Sequence, residues 1–211
     1  MGRLTALIVM SALLAACQTA SQQPVASPTP SPSPHTPASA AVLQASEVPT
    51  GLAACPGSGS VDTYVSSLQT TNAVLAIRIA GQWQALQSLG AVEASISLFT
   101  SDPTACTAEL GAVAKIKSTA SFVARFADDG QADRAWQAGV LGFAPPAPDL
   151  VAPGIKRGTD TGLGSSSWTY DRQPVRLACW RRSVFVALVV LTNLDASAFK
   201  SATGAVDARL N

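Results

Sequence analysis

The chain has 211 residues, with 14 Lys and Arg against 13 Asp and Glu, and a formal net charge of +1. This balance excludes the strongly basic surface by which proteins bind nucleic acid, so no nucleic-acid partner is expected. The length corresponds to one ordinary domain with flanking segments.

The N-terminal stretch MGRLTALIVMSALLAAC has the pattern of a signal peptide. Arg3 gives it a positive start, the apolar run that follows is too short to span a bilayer, and small residues precede Cys17. The segment LAAC resembles the lipobox of bacterial lipoproteins, and the resemblance covers Met1–Cys17 alone. It implies removal of residues 1–16 and acylation of Cys17, for example with palmitate. It also implies a lipid anchor in the cell membrane or outer membrane, with the folded part on the extracytoplasmic side.

The next segment predicts a tether. Residues 18–46 contain no Lys, Arg, Asp or Glu and include the proline run SPTPSPSPHTP. Prolines oppose helix formation, and the segment has too little apolar surface to build a core. We therefore expect residues 17–49 to be disordered, with a reach of about 100 Å. His35, the only histidine, lies in this segment, so the predicted globular domain at 50–211 has none.

Three cysteines remain for the secreted domain, and export favours a disulfide between two of them. We predict Cys55–Cys106, which would join the start of the domain to its body, and keep Cys106–Cys179 as the alternative. The sequence has no C-x-x-C motif and no histidine in the domain, so a redox or nucleophilic thiol is not predicted.

The first part of the domain predicts two helices and a strand. Ser60 caps the first helix, and residues 70–72 cap a second that ends before Gly90. The β-branched residues at 73–80 leave a strand there as the alternative. Residues 92–99 alternate between apolar and polar side chains, which predicts a half-buried strand.

The rest of the domain predicts an antiparallel sheet with helices. In chain order we expect a short helix at Pro103–Gly111, a strand at Thr119–Ala127, a helix at Asp128–Gly139, a long loop at Gly142–Gly164, a strand at Ser166–Tyr170, a hairpin of Pro174–Trp180 with Val184–Thr192, and a last helix capped by Asp195. The segment FVALVVL is apolar on both faces and predicts a central strand. The predicted fold is a single α+β domain, a mainly antiparallel sheet with helices on one side and a C-terminal helix.

The long loop is one candidate binding site. Its glycines follow two cations, and backbone amides of such loops hold anions. It lacks the Gly-Lys-Ser/Thr of a P-loop, so a plain glycine-rich loop is the alternative. The candidate residues are Lys156, Arg157, Gly158, Gly162 and Gly164.

A second candidate is a strand face that carries Arg176, Trp180 and Arg182. Planar cations beside aromatic rings suit docking of an acidic polymer or protein, and Trp168 and Tyr170 are expected on the neighbouring strand. The alternatives are an ordinary solvent face or a face covered by a helix.

No catalytic, metal or cofactor site is predicted. Ser197 and Lys200 match S-x-x-K and resemble the first motif of penicillin-binding proteins and serine β-lactamases, but S-D-N and K-T-G are missing. Asp128, Asp129 and Asp133 suit helix capping better than a cation site.

These features predict a membrane-tethered lipoprotein of the cell envelope with a non-enzymatic binding or sensor-like domain. Its partner would be another envelope protein or a cell-wall polymer. The architecture is loosely similar to extracytoplasmic sensor domains of bacterial kinases, without a shared motif. The alternative is an envelope hydrolase with an unrecognised serine or carboxylate site.

Overall fold

Eight antiparallel strands form one sheet in the computed structural model, which describes residues 36–210. The strands are β1 Ala53–Ala54, β2 Gly59–Ser60, β3 Ala91–Thr100, β4 Ser118–Phe126, β5 Ile155–Arg157, β6 Ser167–Asp171, β7 Val175–Arg182 and β8 Phe185–Thr192. Their order is β1-β3-β4-β8-β7-β6-β5, and β2 also pairs with β3. The predicted α+β class, single domain and C-terminal helix are confirmed. The predicted signal peptide, Cys17 and His35 lie outside the described residues.

Five α-helices accompany the sheet within the described range: α1 Ala38–Ala41, α2 Val61–Leu68, α3 Ala73–Ser88, α4 Asp129–Ala138 and α5 Ala196–Asp207. The Ser60 hydroxyl accepts from the Thr63 N–H at 3.2 Å, as predicted for the cap of α2. Among residues 36–210, no helix is both long enough and apolar enough to cross a bilayer.

The strand alternative at residues 73–80 is wrong, and the helix prediction is confirmed. The Asn72 side chain accepts a hydrogen bond from the Leu75 N–H at 3.2 Å and so begins α3. Leu75, Ile79 and Trp83 then recur at helical spacing, and all three are buried against the sheet. This burial stabilises the helix over the competing β preference.

The disordered tether was predicted through residue 49, and this boundary is wrong. Residues 38–47, named the N-terminal strap here, pack on the sheet as α1 and a 3₁₀ helix at Ala45–Glu47. Val42 and Leu43 are buried, and the Leu43 N–H donates to the Ser121 hydroxyl at 2.8 Å. The run ASAAVL supplies the apolar surface that the proline-rich part lacks. The chain therefore packs on the sheet from this run onward.

The strap also explains why β3 is not half-buried. The polar face of this strand was expected in solvent, but Ser95 and Ser97 are buried. The Ser97 and Ser121 hydroxyls lie 2.8 Å apart in a hydrogen bond, and the Ser95 hydroxyl donates to the Gly59 carbonyl at 2.8 Å. The hydroxyls of Ser95 and Ser97 therefore both have hydrogen-bond partners beneath the covering strap.

The two faces of the sheet bury separate cores. One face, named the helical face, packs against α2, α3 and α4, with Ile96, Phe122 and Leu188 among its buried residues. The opposite face, named the strap face, packs against the strap and α5. The prediction of helices on one side therefore holds for α2–α4, whereas α5 covers the other side.

The C-terminal hairpin is confirmed, with its turn two residues later than predicted. Strand β7 continues through Arg182, which pairs with Phe185, and Ser183 and Val184 form the turn. Ser183 adopts a positive φ of 49°, which a tight turn requires. Every residue of β8 is buried, as expected for a central strand.

The loop predicted at 142–164 contains structure. Strand β5 pairs with β6 through Lys156 and Thr169, and a 3₁₀ helix follows at Gly158–Thr161. A three-residue edge strand carries too little periodicity to be recognised from its sequence.

Cys55 and Cys106 form a disulfide with a Cα–Cα distance of 5.6 Å, which confirms the first of the two pairings. Cys106 lies in a 3₁₀ helix at Pro103–Thr107, and a second one follows at Glu109–Gly111, where one short helix was predicted. Cys179 is a free thiol in the core of the helical face, so the alternative pairing is wrong. Burial raises the pKa of the Cys179 thiol, which therefore stays protonated and unreactive.

Candidate functional site

A cleft of about 300 Å³ lies on the strap face, between helix α5 and the β5–β6 edge of the sheet. Helix α5 packs mainly on β7 and β8, and the cleft lies between it and the outer two strands. The lining residues come from the edge strands, from the 3₁₀ segment and the loop that follows it, and from α5: Lys156, Thr161, Leu163, Thr169, Asp171, Ala196, Phe199, Lys200 and Thr203.

Strand pairing and helix capping explain how these side chains meet. Lys156 and Thr169 are direct partners across β5 and β6, and Asp171 shares the face of Thr169 because strand side chains alternate. On α5, the lining positions Ala196, Phe199, Lys200 and Thr203 follow the three- and four-residue spacing of one helix face. The helix begins at Asp195, whose carboxylate accepts from the Ala198 N–H at 2.8 Å.

The charges that line the cleft are unbalanced. Asp171 is the one carboxylate among its lining residues, and it forms an ion pair with Arg176. Arg176 is held in turn, because its Nε donates to the Leu194 carbonyl at 3.0 Å. Within residues 36–210, neither Lys156 nor Lys200 has an ion-pair partner. The cleft therefore carries two uncompensated ammonium groups.

The threonine hydroxyls of the cleft differ in whether they already donate a hydrogen bond within the protein. Thr161 donates to the Gly158 carbonyl at 2.8 Å, and Thr203 donates to the Phe199 carbonyl at 2.9 Å. Thr169 makes no side-chain hydrogen bond among the described residues, and it faces the cleft. The free hydrogen-bonding groups are therefore mainly donors, namely the two ammonium groups and one hydroxyl.

The predicted docking face of Arg176, Trp180 and Arg182 is wrong as a free surface. The three residues do share one face of β7, but α5 covers it and Trp180 is fully buried. Asp207 of α5 accepts from the Trp180 indole N–H at 2.9 Å and forms an ion pair with Arg182 at 2.6 Å. The arginines and the tryptophan ring hold α5 in position. The structure therefore agrees with the alternative in which a helix covers this strand face.

The aromatic residues expected beside those cations lie on the other face. Trp168 pairs with Cys179 and Tyr170 pairs with Leu177, so their side chains belong to the helical face. The register of β6 against β7 decides on which face these rings lie. A shift of one residue would move every side chain of β6 to the opposite face.

The predicted loop site divides into two parts. Lys156 does reach the cleft, whereas the Arg157 guanidinium donates to the carbonyls of Ala147 and Leu150 at 2.8 and 2.7 Å. Gly158, Gly162 and Gly164 adopt φ values of 56°, 78° and 101°, which suit turns. The prediction that their amides cradle an anion is wrong for Gly162, whose N–H donates to the Thr159 carbonyl at 3.1 Å.

The remaining chemical motifs do not assemble into a reactive centre. Ser197 lines a shallow depression with Glu47 and Pro49, whereas Lys200 lines the cleft described above. The lysine therefore faces a different pocket from the hydroxyl that it would have to deprotonate.

The three aspartates in and next to α4 all have structural partners. Asp128 caps the helix by accepting from the Gln131 N–H at 2.8 Å, and Asp129 accepts from the Ser183 hydroxyl at 3.1 Å. Asp133 forms an ion pair with Arg181 at 3.2 Å. In the part of the chain that is described, no group of three or more His, Cys, Asp or Glu residues is arranged to hold a metal ion.

Sequence reasoning missed most of the cleft. Thr169, Asp171 and Lys200 were not predicted as site residues, although Ser167, Thr169 and Asp171 alternate along a strand and so share a polar face. That alternation was the available signal. No sequence signal indicates that α5 lies beside these residues, because the crossing depends on long-range packing.

No protein-family profile matches the chain, and comparisons with the curated proteins and with the solved structures found no significant match. The chain is therefore described by its own architecture: an α+β domain whose antiparallel sheet is covered on both faces and carries a cationic cleft at one edge.

Proposed function

We propose that this protein is a lipid-anchored lipoprotein of the cell envelope whose folded domain binds a ligand or partner without chemical turnover. The lipobox-like LAAC segment at Cys17 supports the anchor. The cationic cleft beside α5 is the single structural observation that supports the binding function, because it joins unpaired donors to a concave surface.

The composition of the cleft favours binding over hydrolysis. A hydrolytic site needs a nucleophile or water-activating base with a free lone pair. Here Asp171, the one carboxylate of the lining, is already engaged in an ion pair with Arg176. The Thr161 and Thr203 hydroxyls already donate to main-chain carbonyls. What the cleft offers a ligand is charge and hydrogen-bond donors.

The partner class remains that of the envelope, either another envelope protein or a cell-wall polymer. A protein held near a membrane surface by a lipid meets such partners at high local concentration, so modest affinity at one cleft is sufficient. The same reasoning fits a sensor-like role, in which occupancy of the cleft is the signal.

Membrane fractionation with fatty-acid labelling tests the anchor. The full chain should label with radioactive palmitate and remain with membranes after an alkaline wash, and Cys17→Ser should abolish both. Thr19→Ser, a conservative change two residues away, serves as the matched control and should behave as the unaltered chain. Retention and labelling of Cys17→Ser would overturn the anchoring proposal.

Cross-linking in the native envelope tests the binding function. The expected result is capture of one envelope component that is lost in the double variant Lys156→Gln with Lys200→Gln. Capture that is unaffected by this variant would exclude the cleft as the binding site.

A further inference from the structure

We propose that the cleft between α5 and the β5–β6 edge takes a small oxyanion, namely a phosphate or carboxylate group on a compact molecule or on the repeat of a polymer. This inference deepens the proposed function and rests on it for the location of the ligand. It is carried by the distribution of lysines, by the donor inventory of the cleft and by its size.

The lysine distribution is uneven. The chain has four lysines, and two of them, Lys156 and Lys200, line this one cleft from opposite sides. They arise from elements far apart in sequence, an edge strand and the C-terminal helix. Both side chains are exposed, and neither forms an ion pair within residues 36–210, so both ammonium groups are available to an anion in the cleft.

The other charges near the cleft do not neutralise these lysines. Asp171 is held by Arg176, and the Asp195 carboxylate accepts from a helix N–H of α5 and is not among the lining residues. Asp160 lies in the neighbouring 3₁₀ segment and is exposed, but it too lies outside the lining. The lining therefore retains a net positive charge.

The donor inventory selects for an acceptor-rich ligand. Each lysine supplies up to three N–H donors and no acceptor, and the Thr169 hydroxyl adds one donor that has no partner in the described part of the chain. Lysine acts as a compact point charge and does not demand the two-pronged geometry that arginine does. Phosphate and carboxylate oxygens both satisfy such a set of donors, whereas a neutral apolar ligand satisfies none.

The size and the apolar part of the cleft limit the ligand. A volume of about 300 Å³ lies at the small end of ligand pockets, which suits a compact molecule or a single polymer repeat. Leu163 and Phe199 form part of the lining and give a short apolar surface beside the cations. Glycerol phosphate is a suitable probe of the charge and size of the cleft, since it is a compact molecule that carries a phosphate group.

Calorimetric titration of the full chain in neutral detergent at low ionic strength tests the inference, with glycerol phosphate as probe and glycerol as the neutral comparison. We expect saturable binding of glycerol phosphate that weakens as sodium chloride is raised, and none of glycerol. Citrate, a carboxylate probe, should compete. The double variant Lys156→Gln with Lys200→Gln should bind about a hundredfold more weakly, because each of the two lost charged hydrogen bonds costs about a factor of ten or more.

The chain provides its own matched control. Lys115→Gln with Lys117→Gln removes the same charge from exposed positions outside the cleft, and its affinity should equal that of the unaltered chain. All four positions are exposed, and unchanged unfolding curves would verify that the variants fold. Equal losses in both double variants would indicate attraction by net charge alone and would overturn the site.

Two further outcomes separate the sources of the ligand and the two proposals. If a phosphate-bearing wall polymer binds in a lysine-dependent manner and glycerol phosphate competes with it, the ligand is a polymer repeat; if only the small probe binds, it is a free molecule. If neither phosphate nor citrate binds, the oxyanion inference is overturned, while palmitate labelling at Cys17 still tests the anchor independently.

Discussion

The two faces of the sheet are covered by different parts of the chain. On the helical face, α2, α3 and α4 come from connections within the fold, and the Cys55–Cys106 disulfide ties the chain on both sides of α2 and α3. On the strap face, the cover consists of the first described residues and the last helix. These two meet through an ion pair between Glu47 and Arg209.

The difference explains where a site is left. Internal connections must return to the sheet, so α2–α4 are fixed at both ends and pack across the strands. Helix α5 is fixed at its N-cap by Asp195 and at its last residue by Asp207, and its main contacts with the sheet are to β7 and β8. The β5–β6 edge beside it is the part of the strap face where the cleft forms. We therefore expect the helical face to carry stability and the strap face to carry binding.

The largest effect should come from the core of the helical face. Phe122 is fully buried in the middle of β4. Phe122→Ala should lower the free energy of unfolding by about 4 kcal/mol, because it removes a ring and leaves a cavity. Urea unfolding followed by circular dichroism measures this, with Phe122→Leu as a milder comparison. A loss below about 1 kcal/mol would mean that the ring is not part of a packed core.

The disulfide should give the next largest effect. It closes a loop with a sequence separation of 51 residues, so loss of the bridge should cost up to about 4 kcal/mol through the entropy of the unfolded chain. Cys55→Ala with Cys106→Ala is the variant, measured in urea without reductant. Reductant should lower the stability of the unaltered chain and leave this variant unchanged, since Cys179 is a free thiol. Equal sensitivity of both proteins to reductant would contradict the assigned pairing.

The strap should contribute less to the free energy of unfolding than the disulfide does. A disordered tether would contribute almost nothing. Leu43→Ala removes a buried side chain beside the hydrogen bond to Ser121 and should cost about 2 kcal/mol. We expect the low end of the usual range because a short segment relaxes into the space. Ser39→Ala, at an exposed position of α1, is the matched control and should change little. Equal stability of both variants would mean that residues 38–47 do not pack on the sheet and belong to the tether.

The sequence predicted elements well where local signals agree. Ser60, Asn72, Asp128 and Asp195 each cap the helix assigned to them, because a capping side chain, its helix N–H and the apolar stripe that follows are all local. The long apolar segment of β8 likewise predicts its own central position.

The faces of the sheet could not be predicted in the same way. Which face Trp180 occupies follows from strand alternation, but whether that face is covered depends on where α5 crosses, more than 15 residues later in the chain. The buried state of Ser97 has the same origin, because the covering strap joins the sheet from more than 50 residues earlier. The glycine-rich sequence around Lys156 indicates this residue as a candidate. That Lys200 lines the same cleft depends on where α5 crosses the sheet.

The smallest effect should be pH-dependent and should separate the two faces once more. Hydrogen bonds from Arg209 hold the pKa of Glu47 below its ordinary value of 4.5. The stabilisation by this pair is therefore complete above that ordinary value and is lost as the pH falls through the lower pKa of the folded state. The free energy of unfolding of Glu47→Gln should be lower than that of the unaltered chain by up to about 1 kcal/mol at pH 7. This gap should close toward pH 3, as measured by urea unfolding across this range.

The control is Glu109→Gln, which breaks the more exposed pair with Arg78 on the helical side. It should lower the free energy of unfolding by less at pH 7. A gap for Glu47→Gln that stays constant down to pH 3 would mean that the ion pair does not hold the strap to α5.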